Sequence, residues 1–105
     1  MVLQQYDHAR LATLMGWFPT AETCRMWGGL QFRFPYTHES FREDAMLDRL
    51  PSWMLVDAGE MVAFGQYYLR IGRCHLGRLA VAPLLRGHGI GAALVRELGR
   101  RGAAD

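Results

Sequence analysis

Apolar positions recur three and four residues apart in the first half of the chain, and the period shortens to that of strands in the second. Residues 2–6 read as a short strand. Leu11, Leu14 and Met15 stand at helical spacing within HARLATLMGW, and Asp7 is placed to cap that helix. GWFP breaks it. Thr20 is placed to cap a second helix, AETCRMW, which Gly28 and Gly29 end. LQFRFPY reads as extended, with Pro35 arguing against a central strand. Thr37 is placed to cap HESFREDAMLDRL, where Phe41 and Ala45, then Met46 and Leu50, lie four apart, and Pro51 stops it. SWMLVD, a DAGE turn, MVAFGQYYLRIG and RCHLGRLAVAP then read as three successive antiparallel strands. Pro83 ends the last of them. A helix from about Gly89 to Arg101 closes the pattern, with Ile90, Leu94 and Leu98 as its core stripe.

At 105 residues the chain has the size of one domain, residues 1–105. Half of it is hydrophobic and about a fifth charged, as in ordinary soluble domains. A net charge of +2 is too small to argue for nucleic acid. All basic residues are Arg, and there is no Lys. Cys24 and Cys74 form no CxxC pair and no zinc pattern with the histidines, so we expect free thiols, no metal site and a cytoplasmic setting. The N-terminus is not a signal peptide, and no apolar run approaches membrane-spanning length.

The chemistry concentrates in RLAVAPLLRGHGIGAALV. A strand leads through Pro83 and Arg86 into glycines at 87, 89 and 91, then into helix. The first N–H groups of a helix lack internal partners and sit at the positive end of its dipole. Glycines there let a bulky anion reach the backbone, and Arg86 adds a fixed cation. The physical reading is a phosphate or diphosphate site. A P-loop is excluded, because it needs a lysine. The dinucleotide fingerprint GxGxxA is matched formally by Gly87, Gly89 and Ala92, but that fold wants another strand and an acidic residue about 20 positions on.

VAPLLRGHGIGAALV resembles motif A of the GNAT superfamily of N-acetyltransferases: a strand ending in V-x-P, then R/Q-x-x-G-x-G/A opening a helix. Val81 and Pro83 match the first part, and Arg86, Gly89 and Gly91 the second. The resemblance implies an α/β, GNAT-like acyl-CoA N-acyltransferase fold. Its sheet would be mixed and mainly antiparallel, flanked by helices and cut off after the motif A helix. It implies acetyl-CoA, or another acyl-CoA, as donor. The pyrophosphate would rest on backbone N–H groups of Arg86, Gly87, His88, Gly89, Ile90, Gly91 and Ala92. The pantetheine arm would pair with main-chain groups of Leu79, Ala80 and Val81, and an N–H there would stabilise the oxyanion of the attacked thioester.

For the acceptor, the resemblance points to a small-molecule or peptide amine. An alkylammonium must lose a proton before it attacks. Where some relatives carry a glutamate base, this chain carries His75, and imidazole can act as a base near neutrality. Trp27, with Trp17 and Phe18, falls in the helical region that shapes the acceptor pocket in GNATs. Tyr67 and Tyr68 are candidates as well; adjacent on one strand, they face opposite sides, so one would line the cleft and the other pack under a helix.

A complete GNAT domain continues past this helix, so the strand at 75–81 would have an open edge and the last helix would leave Val95 or Leu98 partly bare. Either the chain is a fragment or a second copy covers the edge, and we expect a homodimer with no nucleic-acid or membrane partner. The rival readings are a non-catalytic acyl-CoA-binding or regulatory module and a nucleotide-binding domain.

Overall fold

The computed structural model describes residues 1–104. Strand β1 spans Val2–Gln5. The Asp7 carboxylate then accepts from the Ala9 N–H at 2.6 Å and opens a short 3-10 turn, His8–Arg10, that runs into helix α1, Leu11–Gly16. Helix α2, Ala21–Gly28, begins with a reciprocal box: the Thr23 N–H donates to Thr20 Oγ1 at 3.1 Å and the Thr20 N–H to Thr23 Oγ1 at 3.2 Å. Thr37 and Ser40 form the same box at the start of helix α3, His38–Asp44.

Two sequence expectations fail between these helices and the sheet. LQFRFPY is a turn-rich connector that belongs to no strand, with a cis Phe34–Pro35 bond. Arg33 pins it: its guanidinium meets Asp44 at 3.0 Å and Glu43 at 2.9 Å, and its N–H donates to Asp44 at 2.9 Å. Helix α3 stops at Asp44, well short of Leu50, because Met46 turns left-handed (φ 54°) and brings Leu47, not Met46, into the core.

Strands β2 (Ser52–Asp57), β3 (Glu60–Arg70) and β4 (Arg73–Val81) follow as anticipated. Among the described residues the sheet has four strands in the order β1-β2-β3-β4, every neighbouring pair antiparallel, so the parallel strand implied by a mixed sheet is not among them. Two-residue turns join the strands, Ala58 and Gly59 in one and Ile71 and Gly72 in the other, all with positive φ as tight hairpins require.

The β3–β4 ladder carries a bulge. Phe64 opposes Ala80 and Gln66 opposes Gly77, so Arg78 and Leu79 together face Gly65. Arg78 takes φ 45° there. Helix α4, Ile90–Ala104, packs on one face of β3 and β4, and helices α1, α2 and α3 cover the other. Leu94 and Leu98 of α4 are buried, whereas Val95 is 45% exposed and so is the bare member of the expected pair. The outer edge of β4 pairs with no strand among the described residues.

Gly65 sets the approach of α4. A Cβ there would lie 2.8 Å from Leu79 Cδ2 and 2.8 Å from Leu98 Cδ2. Gly65→Val is therefore expected to lower the unfolding free energy by about 1–3 kcal/mol through overpacking, measured by urea denaturation. Adding Leu79→Ala should recover part of that loss, because Leu79 is one of the two side chains crowded and is 38% exposed. Strict additivity of the two changes would contradict the packing described.

Candidate active site

The strand, the turn and the helices converge on one cavity of about 400 Å³. Trp17, Phe18, Met26 and Trp27 line it from the helical side, Leu79, Ala80 and Val81 from β4, and Arg86 from the turn. Bulge and strand alternation divide the β4 residues. The Leu79 side chain reaches toward Gly65 and α4, Ala80 packs into the helix-side core, and Val81 joins the cluster under α4. The open edge of β4 therefore presents its backbone beside this cavity.

Aromatic packing fixes the opposite wall. Trp27 stacks on Phe18 with ring centroids 4.1 Å apart, and Phe41 lies behind it at 5.8 Å. The Tyr36 hydroxyl donates to the carbonyls of Met15 at 2.8 Å and Phe18 at 3.2 Å, which ties the end of α1 to the connector. The Trp27 Nε1–H is buried without an acceptor among the described residues.

The turn has the form of an anion cradle. Pro83–Leu85 is a 3-10 turn, Arg86 leaves it extended, and Gly87 and Gly89 have φ 86° and 79°. No atom lies within 4 Å of a Cβ placed on either glycine, so the space above both is open. The Gly89 carbonyl accepts the Ala93 N–H at 3.2 Å, which makes Gly89 the N-cap of α4. The N–H groups of Ile90, Gly91 and Ala92 form the first turn, where a helix offers its unpaired donors. Gly91 lies against Val81, where a Cβ would be 3.7 Å from Val81 Cγ2. Arg86 and His88 are exposed at the mouth.

The remaining expected residues fall elsewhere. Tyr67 is 3% exposed and lies against Gly102 of α4, so it is a packing residue and does not line an acceptor cleft. Tyr68 is on the other face, 39% exposed, and stacks on His75 with ring centroids 5.1 Å apart. The two are cross-strand partners on the helix side of the sheet, but neither lines the cavity at Trp27. Among the described residues, Arg86 is the one ionisable side chain in the cavity lining. The buried Cys24 thiol lies close by in the core, and burial pushes its pKa up, so it is held as a neutral thiol. Sequence reading passed over Arg78 altogether; Gly65, a glycine inside a strand, was the available sign of a bulge beside it.

Comparison with known proteins identifies the family and the fold. The sequence fits the Acetyltransferase (GNAT) family over residues 21–104, and the chain belongs to that family. A ribosomal-protein-alanine N-acetyltransferase from Brucella melitensis shares the fold at a TM-score of 0.65 and 19% identity, over 97% of this chain and 67% of that one. Rv2747 from Mycobacterium tuberculosis, solved in complex with CoA, does so at a TM-score of 0.61 and 16% identity, over 98% of this chain and 60% of that one. The chain thus spans roughly two thirds of the length of these neighbours. No curated protein matches it in sequence. Among the described residues, no helix is long and apolar enough to cross a membrane.

Inorganic pyrophosphate should shift the backbone amide resonances of residues 87–92 selectively. Arg86→Ala should weaken that binding by about tenfold, the worth of one charge-assisted hydrogen bond. Shifts spread evenly over the surface would speak against a built cradle.

Proposed function

We propose that this chain binds acetyl-CoA and transfers its acetyl group to a primary amine. The observation that carries the reading is convergence: residues 79–81 of β4, Arg86 at the head of the glycine turn and the aromatic wall at Trp27 border the same cavity. The donor's diphosphate fits the cradle because Gly87 and Gly89 leave open space above a backbone ending in free helix N–H groups. When bound, acetyl-CoA supplies an activated thioester, whose acyl carbon accepts a neutral amine while the thiol departs.

The protein's own part is positioning. Main-chain groups of Leu79, Ala80 and Val81 would hold the pantetheine arm in extended form. Trp17, Phe18 and Trp27 would keep water from the reacting end. Arg86 stays protonated and cannot take up a proton, so the acceptor's proton must leave by water or through a group outside the cavity wall. His75, exposed on the helix side of the sheet and held by Tyr68, is the nearest such group by strand position. The lack of a base in the wall also favours a second reading, a module that binds acyl-CoA without turnover.

The test uses acetyl-CoA binding by calorimetry and thiol release with a panel of primary amines. Gly89→Asp places a carboxylate at the cradle and a side chain at φ 79°. It should abolish acetyl-CoA binding while the circular dichroism spectrum stays that of a folded chain. A folded variant with unchanged affinity would overturn the donor site. Binding without thiol release from any amine would select the second reading.

A further inference from the structure

One face of α2 borders the cavity opposite β4. Thr23, Met26 and Trp27 stand three and four residues apart, so all three reach the cavity from the same side of the helix. Cys24, between them in sequence, points into the core and is fully buried. Trp27 is packed against Phe18, which stacks on it at 4.1 Å. Met26 differs from both: it lines the cavity and yet is 81% exposed. An apolar side chain left so far in water adds little to the core, and its burial by a ligand would be favourable. Its unbranched thioether adapts to different shapes and packs well on aromatic rings.

The same lining is poorly suited to a cation. Among the described residues no carboxylate borders the cavity, and its one charge is the Arg86 guanidinium. The Thr23 hydroxyl is committed, since it donates to the Thr20 carbonyl at 3.0 Å and accepts from the Thr20 N–H at 3.2 Å. Glu22 and Arg25, the charged residues of α2, are exposed and lie outside the lining. A Trp face can attract a cation, but Phe18 already covers one face of Trp27. An amine entering here exchanges water for apolar side chains and meets Arg86 as a like charge. Both effects favour its neutral form. The reacting nitrogen ends as a neutral amide and meets that demand. A second ammonium on the same molecule would stay charged and be penalised.

We propose that the acceptor is a monoamine with an apolar body, and that Met26 selects it by covering that body at the cavity lip. The proposal rests on the acetyl-CoA reading, which turns the acetyl group toward Trp27. Trp17, Phe18 and Trp27 form the fixed part of the acceptor's wall, and Met26 the adaptable part. Met26 is thus a specificity-determining residue with no part in the chemistry itself.

The experiment measures binding of pentylamine, phenethylamine and 1,5-diaminopentane to the chain saturated with CoA. Pentylamine and the diamine have the same carbon chain and differ in the second ammonium. Both monoamines should bind about tenfold more tightly than the diamine, the scale of one unfavourable charge in a partly buried site. Met26→Glu puts a carboxylate at the lip, on an exposed helix position where the fold tolerates it. It should remove or reverse that preference, and Met26→Leu should keep it. A loss of fold would weaken all three amines alike, which a change of preference does not. Equal binding of pentylamine and the diamine by the unaltered chain would overturn the proposal. So would no binding of either monoamine, or a preference that survives Met26→Glu intact. Failure of CoA itself to bind would instead bring down the donor site, and the proposal with it.

Discussion

The extra residue in β4 is the constraint on which the rest of the structure depends. Against it stands Gly65, with no side chain, facing both Arg78 and Leu79. A bulge bends its strand and increases the local twist. Here it also resets which side each following residue faces. Leu79 and Val81 go to α4, Ala80 goes to the aromatic core, and Arg78 joins the helix side. The same bare glycine lets Leu94 and Leu98 settle onto β3. One local irregularity thus positions the strand edge, the final helix and an unpaired cation together.

What holds the opposite wall is a different kind of interaction. The rings of Phe18, Trp27, Phe32, Phe41 and Phe64 form one stacked and edge-packed cluster. Polar struts stitch it to its neighbours: Tyr36 to the carbonyls of Met15 and Phe18, Gln66 to the Ala45 carbonyl. Buried hydrogen bonds of this sort have direction, which ring packing alone lacks. Wall and strand edge are consequently held at a spacing that leaves a cavity between them. Arg86, at the head of the glycine turn, adds a cation to its lining.

Features fixed by neighbouring residues were legible in the sequence. Asp7, Thr20 and Thr37 cap where their side chains can reach the next turn, and two-residue turns follow from local φ. The glycine turn was legible for the same reason, and so was the family. Features fixed across the fold were not. The connector after Gly29 is shaped by Arg33 reaching Asp44, and α3 ends where Met46 turns left-handed. Alternation placed Tyr67 and Tyr68 on opposite faces but could not say which face α4 would cover. Arg78 was hidden because its direction depends on a register shift with a partner strand.

A crystal structure of the chain grown with saturating acetyl-CoA tests the central claim most directly. The account places the diphosphate oxygens on the N–H groups of residues 87–92. It places the pantetheine arm along the edge of residues 79–81, with the acetyl group turned toward Trp27. Acetyl-CoA ordered elsewhere, or the glycine turn left empty at saturation, would contradict it.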